Sequence, residues 1–158
     1  VSTLALGGPS PVQAQVAARA FDPVAFFTGR TESTGTLDEV MASPVATHVT
    51  GMGSLQANGV FVIDQTVKIV GKPVEHRRWQ LRQTAPGKFT GTISDAKGAV
   101  TGVVTGNRMQ IKYTMKKGGM KVEQVLTAAA DGRSVTNSMK VRKLGIVVAK
   151  LVETIRKV

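Results

Sequence analysis

The sequence contains no cysteine, which excludes a disulfide scaffold, a cysteine-ligated zinc site and a cysteine nucleophile. Its two histidines, His48 and His76, have no partner at metal-ligand spacing and leave little for a histidine-built metal site. Aromatic residues make up only 4%: five Phe, Trp79 and Tyr113. Binders of single-stranded nucleic acid stack bases on aromatic platforms, and this chain is short of them. No run of about 18 apolar residues occurs, so no stretch of the sequence encodes a membrane-spanning helix. Acidic residues are also few, 10 against 21 lysines and arginines, for a formal net charge of +11.

What is present fits one domain. A chain of 158 residues with 42% hydrophobic content can bury a real core. The positive field favours anionic partners, but the basic residues are spread along the chain and no long run of like charge appears. The tightest cluster is Lys116, Lys117 and Lys121. A solvated cationic surface is the plain reading. Peripheral contact with an anionic membrane comes next, and no nucleic-acid partner is expected.

The first twenty residues differ from the rest. Val1 to Gly8 is small and apolar, Pro9-Ser10-Pro11 breaks any helix, and Val12-Gln13-Ala14 and Ala18-Arg19-Ala20 read as small-x-Ala cleavage boxes. Residues 1–20 are therefore expected to be the tail of a secretory signal or a flexible arm, and residues 21–158 a single domain. This pattern implies an exported protein. Next comes Phe21-Asp22-Pro23-Val24-Ala25-Phe26-Phe27-Thr28-Gly29. Asp22 can cap a short helical turn with Pro23 at its first position, Phe26 and Phe27 can plug something apolar, and Gly29 ends the turn.

From Arg30 onward the sequence reads as strands: 30–40, 46–55, 60–70, 74–84, 88–94, 99–105, 108–117, 121–129, 134–143 and 145–157. The last also carries a helix-like stripe of Val148, Leu151, Val152 and Ile155, but Ala149, Leu151 and Ile155 suit a strand face, and the strand is preferred. Turn signals separate the strands, among them Asn58-Gly59, Ala85-Pro86-Gly87, Asp95-Ala96-Lys97-Gly98, Gly106-Asn107 and Asp131-Gly132. Loops this short leave no room for helical crossovers, so the sheet must be antiparallel and sequential. Alternation is clear. Phe61, Ile63, Val67 and Ile69 share one face of their strand, Phe89 and Ile93 another, and Met109, Ile111, Tyr113 and Met115 a third. An open meander of this size would expose two edges, and closure removes both. The expected fold is an all-β, closed, antiparallel up-and-down barrel of 8–10 strands with a short N-terminal helical turn, wide enough for filler side chains or one small ligand.

A family resemblance rests on the order and spacing of several short motifs. They are Phe26-Phe27-Thr28-Gly29-Arg30, Glu75-His76-Arg77-Arg78-Trp79-Gln80-Leu81, Gly91-Thr92-Ile93-Ser94-Asp95-Ala96-Lys97-Gly98, Gly102, Gly106-Asn107 and Tyr113. Together they resemble the bacterial domain-of-unknown-function family 3833, which is grouped with lipocalin-like (calycin) barrels and whose members are often exported. The resemblance runs from about Phe21 to the C-terminus. It implies the barrel and a location in the periplasm or cell envelope of a bacterium, and it brings no established reaction.

The candidate ligand-binding residues are Trp79, Tyr113, Arg77, Met109, Ile111, Met115, Phe61 and Phe89. Glu75, Arg77 and Trp79 share a strand face, where an inward arginine can pair with Glu75 or hold a carboxylate or phosphate through its fork. Met109, Ile111 and Met115 around Tyr113 suit an adaptable apolar lining. Ordinary core packing, with Arg77 covering Trp79, is the plainer reading of both groups. Asp95 and Asn107 read as turn formers, and Asn137 as a buried polar group in a strand. No G-x-S-x-G elbow, phosphate loop, metal set or catalytic triad is present, and no cofactor is expected. The preferred function is binding or carriage of a small lipophilic or amphipathic ligand inside the barrel. A barrel enzyme of isomerase or lyase type, drawing on Glu75, Arg77, Asp95, Tyr113 or Asn137, is the first alternative. A structural envelope protein with a filled barrel is the second.

Overall fold

The computed structural model describes residues 20–158. The expected signal-like segment over residues 1–20 therefore lies, but for Ala20, outside the described residues. A short helix, α1 (Pro23–Phe27), precedes ten strands: β1 (Gly29–Glu39), β2 (Val45–Leu55), β3 (Phe61–Ile69), β4 (Glu75–Ala85), β5 (Lys88–Ile93), β6 (Ala96–Thr105), β7 (Arg108–Met115), β8 (Lys121–Ala128), β9 (Ser134–Lys143) and β10 (Ile146–Lys157). Each strand pairs antiparallel with the next, and β10 pairs with β1, so the sheet is a closed barrel.

The elements form for the reasons the sequence suggests. Asp22 caps α1, its carboxylate accepting the Ala25 N–H at 3.0 Å, and Pro23 opens the helix. Gly29 follows at φ +88°. Strand alternation persists through burial: Phe61, Ile63 and Val67 point inward on β3, and Met109, Ile111 and Tyr113 on β7. The stretch 146–157 is strand, as preferred. A register shift between Val147 and Ala149 lets both Val148 and Ala149 pack against the core.

One turn differs from expectation. Asp95-Ala96-Lys97-Gly98 is not a four-residue loop: only Ser94 and Asp95 join β5 to β6, and β6 begins at Ala96. The extra residues are absorbed within the strand, as a bulge between Lys97 and Thr101 against β7, with Gly98 at φ +76°. The glycine signal was real, but it marked a bulge rather than a connection.

An up-and-down barrel has two unlike ends. The β2–β3, β4–β5, β6–β7 and β8–β9 turns share one end with α1. Phe26 and Phe27 are buried there with their rings edge-on at 4.9 Å, and the Lys157 ammonium donates to the carbonyls of Ala25, Phe26 and Thr28 at 2.9, 3.0 and 3.4 Å. That end is plugged. The β1–β2, β3–β4, β5–β6, β7–β8 and β9–β10 turns form the opposite end.

The plug requires close approach of backbone. Thr28 bridges to Gly53 of β2, and a Cβ on Gly53 would run into the Phe27 carbonyl oxygen. Gly53→Ala is expected to cost about 1–3 kcal/mol by forcing the helix off the barrel. Met52→Ala, on the exposed outer face one residue away, is expected to stay within about 0.5 kcal/mol of the parent. Urea denaturation of the two variants checks this.

Candidate ligand-binding site

The barrel interior is built unevenly. On β1 and β2 most inward positions are small, Thr31, Ser33, Gly35, Thr47, Gly51 and Gly53, with Leu37 and Val49 the larger exceptions. On β3, β4, β5 and β7 they are large: Phe61, Ile63, Trp79, Leu81, Phe89, Met109 and Ile111. Bulk from one wall does not fill the space left by the other, and a cavity remains.

The cavity has two parts. The lower part, about 60 Å³, lies on the plug and is lined mainly by Phe27, Phe61, Leu81, Phe89, Met109 and Ile155. The upper part, about 530 Å³, opens at the opposite end and is lined among others by Val49, Val67, Met115, Met139, Val141 and Leu151. A volume of this size suits one small molecule. Gln65, Trp79, Gln124, Asn137 and Glu153 border both parts and form a polar waist between them.

The waist is partly satisfied from within. The Trp79 indole N–H donates to Gln65 Oε1 at 2.8 Å. Gln124 Nε2 lies 3.4 Å from Tyr113 Oη, which accepts, and 3.6 Å from the Met139 sulfur. Asn137 Nδ2 donates to Glu153 Oε1 at 3.0 Å. Asn137 and Glu153 are 3% and 8% exposed, yet Asn137 Oδ1, Glu153 Oε2 and Thr47 Oγ1 have no hydrogen-bond partner among the described residues. Such groups cost about 1–3 kcal/mol each when left unpaired. Burial pushes the Glu153 carboxyl above its ordinary range, opposed by the Asn137 hydrogen bond and then by the Arg77 charge.

Arg77 stands above the waist in the upper part. Its Nε lies 3.1 Å from Asp95 Oδ2, and its Nη2 lies 3.5 Å from Glu75 Oε2. The Nε–H does not point along the line to Asp95, so this is a charge contact rather than a hydrogen bond. Asp95 thus does more than make the turn: its carboxylate holds Arg77 from the neighbouring element.

Seven of the eight sequence-predicted site residues line the cavity. Phe61, Phe89, Met109 and Ile111 face the lower part, Arg77 and Met115 the upper, and Trp79 both. Tyr113 is buried on the inward side but lies outside the lining, its ring edge-on to Trp79 with centroids 6.0 Å apart. Burial raises its phenol above the ordinary value. The waist residues Gln65, Gln124 and Glu153 escaped sequence reasoning. The signal for Glu153 was its parity, since it alternates inward between Leu151 and Ile155. The histidines lie on the outside, His48 against Glu32 at 2.7 Å and His76 against Thr66 at 3.4 Å. Among the described residues no cluster of three or more His, Cys, Asp or Glu could hold a metal.

The family model for the protein of unknown function DUF3833 matches residues 3–157. The chain belongs to that family. No curated protein matches the sequence. Among solved structures, the S-type phycobiliprotein lyase CPES from Guillardia theta superposes with a TM-score of 0.66 at 7% identity, covering 85% of this chain and 90% of that one. Rv2717c from M. tuberculosis gives 0.61 at 14% identity, covering 87% and 98%. A DUF3598 protein of unknown function from Nostoc punctiforme gives 0.59 at 12%, covering 97% of this chain and 53% of that one. At these identities the likeness is one of fold, the lipocalin-like barrel.

The buried carboxyl makes a pH test. A carboxyl whose folded pKa is raised binds its proton more tightly in the native state than in the unfolded chain. Its contribution to stability is present below the unfolded value, near 4.5, and is lost as pH rises through the folded one. Glu153→Gln keeps the acceptor for Asn137 and removes the titration. The variant is expected to melt like the parent at about pH 4 and about 3 °C higher at about pH 8, corresponding to roughly 1 kcal/mol. Thermal melts across that range decide it.

Proposed function

We propose that the barrel binds a small amphipathic molecule whose polar group sits at the waist and whose apolar part fills the upper cavity. The unpartnered, buried oxygens of Asn137 and Glu153 carry this reading. They accept hydrogen bonds and ask for a donor, such as a hydroxyl, an amide or a protonated acid. Arg77 offers a charge to a carboxylate or phosphate placed slightly higher. Around them, Val49, Val67, Met115, Met139 and Leu151 offer an apolar wall, and methionine lets that wall adapt. Each buried methylene contributes about 0.8 kcal/mol, so a medium-length chain offsets the cost of immobilising the ligand. The small, apolar, cleavage-like sequence of residues 1–20 supports a place in the bacterial cell envelope. Fractionation of a bacterial cell expressing the protein tests that setting, with recovery in the envelope or periplasmic fraction expected.

A second reading has an observation of its own. Glu153 Oε2 is a buried, unpartnered carboxyl oxygen facing a cavity, with its proton held above the ordinary range. That is the environment of a general acid or base, and it supports an isomerase- or lyase-type step on the bound molecule. The presence of a phycobiliprotein lyase among proteins of the same fold is compatible with this reading.

Trp79 is the only tryptophan, is 7% exposed and borders both parts of the cavity. A long-chain alcohol carrying bromine atoms is therefore expected to quench its fluorescence saturably at micromolar concentration. Met139→Trp would place bulk in the upper cavity, while Ser138→Trp would place the same bulk on the exposed outer face. Uptake of a fluorescent analogue of the same alcohol is expected to weaken at least about tenfold in the first, about 1.4 kcal/mol, and to stay unchanged in the second. Absence of quenching in the parent, or equal loss in both variants, would sink the cavity reading.

A further inference from the structure

The open end of the barrel carries an unusual set of turn residues. Met41, in the β1–β2 turn, has φ +63°, and Leu144, in the β9–β10 turn, has φ +51°. These are the non-glycine residues with positive φ among the described residues, and both are fully in solvent, at 101% and 95% exposure. The left-handed conformation favours glycine or asparagine, and exposure favours polar side chains. The two residues break both preferences at once. A turn needs neither of them there, so the side chains themselves call for an explanation.

They are not isolated. Because β10 pairs with β1, the two turns are neighbours across the barrel seam, joined by the Val40 N–H donating to the Val148 carbonyl at 3.0 Å. Val40 and Ile146 extend the apolar surface beside Met41 and Leu144, and Val70 and Val74 continue it onto the β3–β4 turn. Three consecutive hairpin tips thus expose aliphatic side chains along one arc of the mouth.

Charge completes the pattern. The β7–β8 turn, next along the rim, bears Lys116 and Lys117, with Lys121 and Lys143 flanking the tips. Among the described residues these four lysines have no acidic partner within 4.0 Å. The acids at this end are largely taken: Glu39 pairs with Lys72 at 2.6 Å, and Glu75 and Asp95 flank Arg77. Asp38, on the outer wall of β1, is the exception.

We propose that this rim is a docking surface for an anionic lipid bilayer, with Met41 and Leu144 entering the interface and Lys116, Lys117 and Lys143 lying over the headgroups. Aliphatic tips flanked by lysines without acidic partners, of which Lys116 donates to the Ser94 carbonyl at 3.1 Å, match the two components of such a surface, an apolar boundary beneath a negative layer. The proposal rests on the interior reading only for its purpose, since docking would place the cavity mouth against the source of an amphipathic ligand. A soluble acidic protein would answer the lysines but not the fully exposed aliphatic tips.

The test is co-sedimentation of the whole chain with vesicles of phosphatidylcholine and phosphatidylglycerol, and with vesicles of phosphatidylcholine alone. Binding is expected to the anionic vesicles, with at least about tenfold weaker binding to the neutral ones. Met41→Gly and Leu144→Gly together remove the tips while supplying the residue their backbone prefers, so the fold is retained, as melting will verify. This double variant, and Lys117→Gln with Lys143→Gln, are each expected to weaken anionic-vesicle binding about tenfold. Leu55→Ser, which changes an exposed leucine at the plugged end, is expected to bind like the parent. No binding to anionic vesicles would overturn the proposal. So would binding that survives both double variants, or that falls equally with Leu55→Ser. Quenching of Trp79 by the brominated alcohol is read without vesicles, so failure of docking and failure of the cavity reading are seen separately.

Discussion

Closure of the sheet between β1 and β10 is the constraint on which everything else depends. Without the pairing that runs from Thr31 opposite Lys157 to Glu39 opposite Ala149, both strands would present unpaired edges, and no interior would exist. The seam also sets the site. Gly35 stands opposite Glu153, and a Cβ on Gly35 would collide with the Val152 carbonyl and with Glu153. A missing side chain on β1 lets β10 approach, and β10 brings the buried carboxyl with it. Val40 and Val148 carry the same seam to the rim. Closure, waist and open end are thus consequences of one strand pairing.

The interior is unequal in a useful way. Had large residues filled β1 and β2 as they fill β3, β4 and β7, the barrel would be a packed core and Asn137 and Glu153 would meet only apolar atoms. Small residues on one wall leave room, and the waist places polar atoms where that room narrows. Two oxygens with no hydrogen-bond partner represent free energy withheld from the protein's own stability. A donor on a bound molecule recovers it. That recovery discriminates strongly, because a molecule lacking the donor leaves the same oxygens unpaired. On the proposed reading, the apolar wall would supply affinity with little selectivity, and the waist would supply selectivity.

Much of this was legible in the sequence, and the parts that were not share a cause. Period two located nearly every strand because a barrel wall has one wet and one buried face, and that contrast is written residue by residue. The same period put Phe61, Phe89, Met109, Ile111 and Trp79 inside. It could not distinguish a residue facing the cavity from one packed beside it, which is why Tyr113 joined the lining on paper but packs against Trp79 in the structure. Gln65, Gln124 and Glu153 were passed over because a polar residue in a strand reads as solvent-facing until its neighbours' parity is applied to it. Asp95 looked like a turn former, which it is. Its second role, facing Arg77, depends on which strands meet at the β5–β6 turn and has no local signature.

The two ends of the barrel make the final point. At one end the helix, two phenylalanines and a lysine that satisfies three helix-terminal carbonyls close the interior with matched groups. Nothing there suggests passage, because opening it would expose the buried phenylalanines to water and break the Lys157 hydrogen bonds. At the other end the interior meets solvent between turns whose side chains are apolar where turns are ordinarily polar. A molecule entering must come that way, and with an amphipathic molecule its direction follows. On the proposed reading the polar group reaches the waist first, since the unpaired oxygens of Asn137 and Glu153 await a donor there, and the apolar remainder trails toward the mouth. A trailing apolar end would finish beside Val40, Met41, Leu144 and Ile146, the residues least suited to water. The placement of polar atoms deep inside and aliphatic atoms at the rim inverts the usual order of a protein surface. Both halves of that inversion are what the amphipathic ligand and the lipid surface proposed above would require.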